Sequence, residues 1–257
     1  MAKTLKRIDA GGIQIAALYN RCSAWDTPKQ RQAKHQASSA AQRRMNQIYS
    51  YQKLELMLAK NFPTPGSGLV VVLTHDDQHM PKDRREAQQR FKYFLQKLRR
   101  ARKAAGLPEP VVFWAPEILT SASGRWHQHI VLDNTGQDLD MIRRCWIYGS
   151  DVEAEKLRVD GEKNHETLAK YMTKELRECQ EYEARPGLHG WSCTRNALRP
   201  EVETMTVPDD YELEPPADST VLLDERKSTE WASYRVIKYR FSGQGFPAPP
   251  RAKRRRR

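Results

Sequence analysis

The sequence predicts an α+β fold in which helices flank a central antiparallel sheet. Short runs rich in β-branched residues, such as GLVVVLT at 68–74, are bounded by turn residues, which is typical of buried strands. Stretches with apolar residues at helical spacing separate these runs, and such interleaving indicates an α+β or α/β protein. Two strand-like runs, 110–119 and 125–133, are joined only by TSASG, so we expect them to form an antiparallel hairpin.

The composition predicts a soluble protein with a polyanionic partner. The 257 residues include 44 Lys and Arg against 32 Asp and Glu, which gives a net charge of +12 and a pI near 9.6. Such a balance favours nucleic acid or an anionic membrane surface as the partner. The chain has no apolar run of the roughly 20 residues that a spanning helix needs, and MAKTLKRIDAGG lacks a signal-peptide core. Four scattered cysteines indicate a reducing cytosol, so we expect a cytoplasmic protein without a membrane partner.

The N-terminal half alternates helical and strand signals. Residues 28–60 are polar and helix-prone and predict one long helix or a helix pair, which PTPGSG at 63–68 ends before the first strand. Asp83 is the expected N-cap of the next helix, with Glu86 completing a capping box. One face of that helix carries Phe91, Phe94, Leu95 and Leu98. Its other faces are basic, which predicts either a solvated surface or one that follows phosphates.

The C-terminal half continues the pattern and then becomes irregular. Residues 138–146 predict a short helix, 155–160 a strand, and 165–182 a helix with an apolar seam at Leu168, Met172, Leu176 and Cys179. An acidic, proline-bearing linker at 207–220 precedes a strand-like run at 231–241. The final PAPPRAKRRRR predicts a disordered basic tail.

Two histidines one residue apart in RWHQHIVLD are candidate metal ligands. In a strand, His127 and His129 point to the same face, with about 6 to 7 Å between their Cα atoms. Two neutral imidazoles at that distance can bind one divalent ion. The pattern alone is weak, because seven histidines in 257 residues produce such pairs by chance.

A glutamate in the preceding strand strengthens this interpretation. A hairpin folded about Ala122 pairs residues whose numbers sum to 244, which sets Glu117 opposite His127 on the same face. One carboxylate and two imidazoles would make a three-ligand site with open positions. A register slip of one residue would turn Glu117 to the other face, where it would be a surface glutamate near a turn.

The helical KYMTKEL at 170–176 supplies the last element. Tyr171 and Lys174 are three residues apart, so they lie on neighbouring helix surface. A tyrosine in such a place is more often half-buried packing, and a lysine is usually solvated. The order Glu, HxH and helical YxxK in a basic chain is what favours a functional role.

These motifs resemble those of the HUH endonucleases, specifically the single-tyrosine initiators of rolling-circle replication in phages and plasmids. GLVVVLTHDD resembles the first motif of that family, RWHQHIVL the metal-binding second motif, and YMTK the motif with the catalytic tyrosine. The chain departs from the pattern at Gln128, where the family has a hydrophobic residue, and at His75, which is often aromatic. Glu117 also lies in APEILTSASG rather than in the Gly-Glu-Tyr-Gly of phage members.

The resemblance implies a domain order and a reaction. It implies a sheet-based endonuclease domain at 66–200, a helical N-terminal extension at 1–65, a linker and strand segment at 201–246 and a disordered tail at 247–257. Tyr171 would attack a DNA phosphate and form a 5′-phosphotyrosyl link, with Lys174 orienting the phosphate or stabilising the tyrosinate. Glu117, His127 and His129 would bind Mg²⁺ or Mn²⁺. Tyr182, further along the same helix, is the rival nucleophile.

The implied partners are single-stranded DNA at a replication origin and a host helicase, since the chain has no Walker-A motif. The setting would be the cytoplasm of a bacterial host, and the oligomeric state stays open. We expect phosphate contacts from the helix at 84–103, from 185–199 and from the tail. The individual candidates are Arg90, Lys97, Arg99, Arg100, Lys103, Arg125, Arg195 and Arg199.

Three alternatives remain open at this point. A related HUH transposase or relaxase would use the same chemistry in a different genetic role. A nucleic-acid-binding module would use the histidines only structurally. A zinc-dependent hydrolase would use the HxH pair and give Tyr171 no covalent role.

Overall fold

The computed structural model describes residues 2–20, 40–117, 124–159, 165–174, 190–228 and 233–241. The chain divides into two compact units, one of residues 34–198 and one that joins residues 1–33 to 199–257. The described elements in chain order are β1 (Lys3–Asp9), β2 (Gln14–Asn20), α1 (Ala40–Asn61), β3 (Gly68–Thr74), α2 (Arg84–Ala104), β4 (Val112–Glu117), β5 (His127–Asp133), α3 (Asp138–Cys145), β6 (Val152–Lys156), α4 (Glu166–Met172), β7 (Ser192–Cys193), β8 (Glu201–Val207), β9 (Ser219–Ser228) and β10 (Ser233–Phe241). The predicted α+β class is confirmed. None of these helices is long and apolar enough to cross a membrane.

The unit of residues 34–198 is built on an antiparallel five-stranded sheet in the order β6-β3-β5-β4-β7. Strand β3 occupies the predicted residues, and the hairpin of β4 and β5 falls within the two predicted runs. The joining residues 118–123 lie outside the described part of the chain. The strand predicted at 155–160 is wrong by about three residues, because β6 begins at Val152. Its exposed sequence VEAEK has no apolar alternation, and its pairing with β3 alone defines it.

Helices cover both faces of this sheet. On one face, Phe91, Phe94 and Leu98 of α2 pack with α3 against β3 and β5, as the apolar positions of α2 predicted. On the other face, α1 and α4 pack against Phe113 and Val131. Helix α2 begins where predicted, since the Asp83 carboxylate accepts a hydrogen bond of 2.8 Å from the backbone N–H of Glu86.

Helix α4 is shorter than predicted over the residues that the structure describes. It ends at Met172, where the hydroxyl of Thr173 donates to the carbonyl of Ala169 at 2.8 Å and competes with the backbone donor that would continue the helix. Lys174 follows in a turn, its N–H bonded to the carbonyl of Tyr171 at 3.1 Å. The remaining predicted helix, with Leu176, Cys179 and Tyr182, lies outside the described residues.

The second unit has its own antiparallel sheet, in the order β8-β1-β2-β10-β9. The helical N-terminal extension predicted for 1–65 is therefore wrong for residues 3–20, which form the β1–β2 hairpin, and holds for α1. The turn of that hairpin needs Gly11, whose φ of 75° is left-handed. The strand predicted at 231–241 is confirmed as β10, whereas β8 and β9 were not predicted. The basic tail lies outside the described residues.

Candidate functional site

The hairpin of β4 and β5 has the predicted register. Glu117 lies directly opposite His127, and Ala115 lies opposite His129. On the other side of β5, Thr74 of β3 pairs with His127. Since opposed residues share a face, Thr74, His127 and Glu117 form one row across three strands, and His129 belongs to the next row. This is the face that α1 and α4 cover, so the candidate site lies between the sheet and those helices.

Glu117 and His129 form the buried part of the site. Each is 4% exposed, and the Glu117 carboxylate is in direct contact with Nε2 of His129. The rings of His127 and His129 lie 6.5 Å apart between centroids. Buried carboxylates and imidazoles need such partners, because an unpaired charge in the interior is costly.

Thr74 contacts His127 from β3. Its hydroxyl lies 3.0 Å from Nδ1 of His127, and its carbonyl accepts a 3.1 Å hydrogen bond from the indole N–H of Trp146. When Nδ1–H donates to the hydroxyl, the lone pair of Nε2 is available to a ligand. Burial lowers the pKa of His127 below its usual value, which favours the neutral imidazole that metal binding requires.

Tyr171 and Lys174 reach this site from the C-terminal end of α4. The Tyr171 ring packs edge-on against the His129 ring, with 4.9 Å between centroids at 74°. The Lys174 ammonium lies 2.5 Å from the Glu117 carboxylate and 4.4 Å from the Tyr171 ring centroid. Burial acts to lower the pKa of Lys174, but its hydrogen bond to Glu117 and the charge of that carboxylate outweigh burial, so the pKa lies above its usual value.

The start of α4 is held in place by a residue that the sequence did not single out. His165 is buried just before the helix, and its Nε2 lies 3.2 Å from the carbonyl of Phe62, which follows α1. Ala169 and Met172 pack into the same core as α1. These contacts orient the helix so that Tyr171, which is 46% exposed, lies at the solvent side of His129.

The donor set suits a divalent ion in its chemistry. One carboxylate and two imidazoles are ligand types of Mg²⁺ and Mn²⁺ sites, and Oε2 of Glu117 and Nε2 of His129 are directed at each other. Over the described ranges, however, no group of three or more His, Cys, Asp or Glu side chains is clustered closely enough to hold a metal ion. An ion at Glu117 would have to compete with both His129 and Lys174 for the carboxylate.

His75 and Thr74, at the end of β3, were not predicted as parts of the site. His75 is fully buried, with Nδ1 3.2 Å from the carbonyl of Trp126 and its ring edge-on to Trp146 at 4.9 Å. Burial lowers the pKa of His75 to about 4. The signal for Thr74 was its place at the end of a strand that pairs with β5, but a sequence does not state which strands pair.

The predicted DNA-binding residues on α2 lie on the opposite face of the sheet from the histidines, and some of them have protein partners. Arg90 pairs with Glu86 at 2.6 Å and lies over the Tyr148 ring at 5.2 Å. Arg99 pairs with Glu109 at 3.0 Å, and Lys97 lies over the Tyr93 ring at 4.9 Å. The two remaining candidates, Arg100 and Lys103, are exposed.

The other three candidates lie apart from α2. Arg125, just before β5, pairs with Asp77 at 2.9 Å. Arg195 is exposed after β7, and Arg199 is exposed in the other unit. The structure thus brings together the five predicted chemical residues but does not gather the eight predicted cations into one surface.

Comparison with known proteins gives one match. Residues 69–176 match the model of a family of replication-associated proteins, described under the name ORF2. The match covers less than half of the chain and includes Glu117, His127, His129, Tyr171 and Lys174. No curated protein and no solved structure matches the chain. The segment that contains the candidate site is therefore similar to replication-associated proteins of the ORF2 family.

Proposed function

We propose that this protein is a replication initiator that nicks and rejoins single-stranded DNA at an origin of rolling-circle replication. The observation that carries the proposal is the position of Tyr171, an exposed phenol in contact with His129 and beside the ammonium of Lys174. The similarity of residues 69–176 to replication-associated proteins supports it. Unwinding falls to a host helicase in the bacterial cytoplasm.

Tyr171 is the proposed nucleophile. Its phenolate oxygen forms a bond to the scissile phosphorus, the bond from phosphorus to the 3′ oxygen breaks, and that oxygen takes up a proton. The products are a 5′-phosphotyrosyl link and a free 3′-hydroxyl. Because the phosphodiester is exchanged rather than hydrolysed, the reverse reaction can rejoin a strand without a nucleotide cofactor.

Lys174 has an electrostatic role in this proposal. Because its pKa is raised, the ammonium stays protonated at neutral pH and cannot be the base that deprotonates Tyr171. A cation at this distance from the phenol stabilises the phenolate and attracts the phosphate of the substrate. Glu117, at 2.5 Å, holds the ammonium in place.

Glu117, His127 and His129 are the proposed ligands of Mg²⁺ or Mn²⁺. When bound, such an ion polarises the scissile phosphate and offsets the charge that develops on it. The chain contributes a neutral His127, which Thr74 orients, and a carboxylate shared between His129 and Lys174. A zinc-dependent hydrolase would not need the phenol beside this site.

Trapping the covalent intermediate tests the proposal. The protein is incubated with randomised single-stranded DNA and Mn²⁺, SDS-resistant adducts are isolated, and the attached DNA is sequenced. We expect adducts that carry one defined sequence at their 5′ end. Absence of any adduct would contradict the proposal and leave a non-catalytic nucleic-acid-binding protein or a zinc hydrolase. A transposase or relaxase would also form adducts, with the ends of a mobile element or a transfer origin as the recovered sequence.

A further inference from the structure

The sheet of the second unit has two different faces. One face is covered: Leu5, Leu18 and Ile237 pack there with Leu213 from the segment between β8 and β9. That segment is tied to the sheet, because the Lys3 ammonium donates to the carbonyl of Tyr211 at 3.2 Å. The covered face therefore forms the core of the unit.

The opposite face carries a row of aromatic and basic side chains. In register across all five strands, the row consists of Thr206, Thr4, Tyr19, Tyr234 and Lys227. Tyr19 and Tyr234 are direct partners on neighbouring strands and are 36% and 37% exposed. Directly opposed side chains have Cβ atoms about 5 Å apart, so the two rings present adjacent aromatic surface. We name this surface the Tyr19–Tyr234 face.

Cations outnumber anions on this face. The next row contains Lys6 and Glu225, and the third row contains Lys238, whose stem lies beside Ile15 and Leu223. With Lys227, the three rows hold three lysines and one glutamate. A second copy of the chain would bring lysines against lysines, whereas a polyanion would neutralise them.

We infer that the Tyr19–Tyr234 face binds single-stranded nucleic acid, with bases stacked on the two tyrosines and the backbone beside Lys6 and Lys227. Exposed aromatic side chains on a sheet, flanked by cations, are how many proteins bind single strands without reading their sequence. Both elements are present here in one register. The surface lies outside residues 69–176, so it does not depend on the proposed nicking reaction.

The test measures the affinity of the full chain for a fluorescent oligo-dT of roughly 20 nucleotides, with EDTA present to prevent cleavage. Fluorescence anisotropy compares the unchanged protein with Tyr19→Ala/Tyr234→Ala, Tyr19→Phe/Tyr234→Phe and, as a control, Tyr49→Ala. Tyr49 is 59% exposed on α1 of the other unit. Circular dichroism verifies that each variant is folded.

We expect the double alanine variant to bind about tenfold more weakly or worse, because each stacked base contributes on the order of a tenfold factor. The double phenylalanine variant keeps the stacking surface and should stay within about twofold of the unchanged protein. Tyr49→Ala should have no effect. Failure of the covalent adduct to form would overturn the proposed function and leave this expectation intact.

A second variant keeps the inference testable if the alanine variant does not fold. Lys6→Gln/Lys227→Gln should make the affinity fall less steeply with salt, by a slope of about 1.4 for two phosphate contacts on a single strand. Equal affinity for the double alanine variant and the unchanged protein, or an unchanged salt slope, would overturn the inference. So would a dimer, seen by analytical ultracentrifugation, that the alanine substitutions dissociate without changing DNA affinity.

Discussion

At the scale of single residues, Thr74 has the most specific expected role. Its hydroxyl, 3.0 Å from Nδ1 of His127, fixes which imidazole nitrogen is available to a metal ion. Partners of this kind typically change metal affinity by roughly 10- to 100-fold when they are removed. Thr74→Val keeps the shape of the side chain and the hydrogen bond from Trp146 to the Thr74 carbonyl.

We therefore predict that Thr74→Val weakens Mn²⁺ binding about tenfold, while Thr74→Ser binds nearly as well as the unchanged protein. Electron paramagnetic resonance of free Mn²⁺ during a titration measures the affinity without requiring activity. Thr204→Val, at an exposed position of β8, is the control. Equal Mn²⁺ affinity in Thr74→Val and the unchanged protein would show that Thr74 does not orient His127.

His75 predicts a pH dependence of stability. Burial lowers its pKa from 6.5 to about 4, and the hydrogen bond to the carbonyl of Trp126 opposes this shift only in part. Below pH 6.5 the unfolded chain binds a proton at His75 that the folded chain does not. The resulting stabilisation is complete above pH 6.5 and is lost as the pH falls towards 4.

The contribution of His75 to the free energy of unfolding should fall by about 2 kcal/mol between pH 7 and pH 4.5. His75→Phe, which fits beside Trp146 and Tyr148, should show an acid-induced loss that is smaller by this amount. Urea unfolding of both proteins at several pH values measures the difference. Parallel pH profiles for the two proteins would contradict a buried, neutral His75.

At the scale of elements, Arg102 links three of them. It is fully buried on α2 and donates to Asp133 at the end of β5 and to Asp138 at the start of α3, each at 2.7 Å. Removing it would leave two carboxylates without their cation, and breaking a buried ion pair typically costs about 3–5 kcal/mol. Arg100, exposed two residues earlier, is the matched control.

Arg102→Met should accordingly lower the free energy of unfolding by several kcal/mol, on the order of 3, and Arg100→Met by less than about 0.5. Urea unfolding followed by tryptophan fluorescence reports on this unit, since Trp114 and Trp146 pack in the same core. If the two variants were equally stable, the ion pairs of Arg102 would be dispensable for packing.

The elements also show where prediction from the sequence succeeds. Strand β3, the Asp83 cap and the register of Glu117 against His127 are local properties, set by alternation, turn residues and short loops. The same local reasoning missed β6, which is polar and defined by pairing, and the true end of α4. It also took Arg102 for one of many cations on α2, because a sequence does not state which arginine faces a buried carboxylate.

At the scale of the whole molecule, long-range topology was the part beyond the sequence. The sheet of the second unit joins β1 and β2 to strands near the other end of the chain, and no local pattern encodes that pairing. For the same reason the sequence grouped the α2 cations with the HxH motif, although the sheet separates them. The five chemical residues were predictable because the hairpin joins three of them locally and α4 follows in a recognisable motif.

The central claim is that Tyr171 is the residue that becomes linked to DNA. Its test is mass spectrometry of the adduct formed with Mn²⁺ and the recovered target sequence, using the unchanged protein, Tyr171→Phe and Tyr182→Phe. We predict that the nucleotide is found on the peptide with Tyr171, that Tyr182→Phe retains the adduct, and that Tyr171→Phe loses it while still binding Mn²⁺ and DNA. A nucleotide on Tyr182, or an adduct formed by Tyr171→Phe, would contradict the claim.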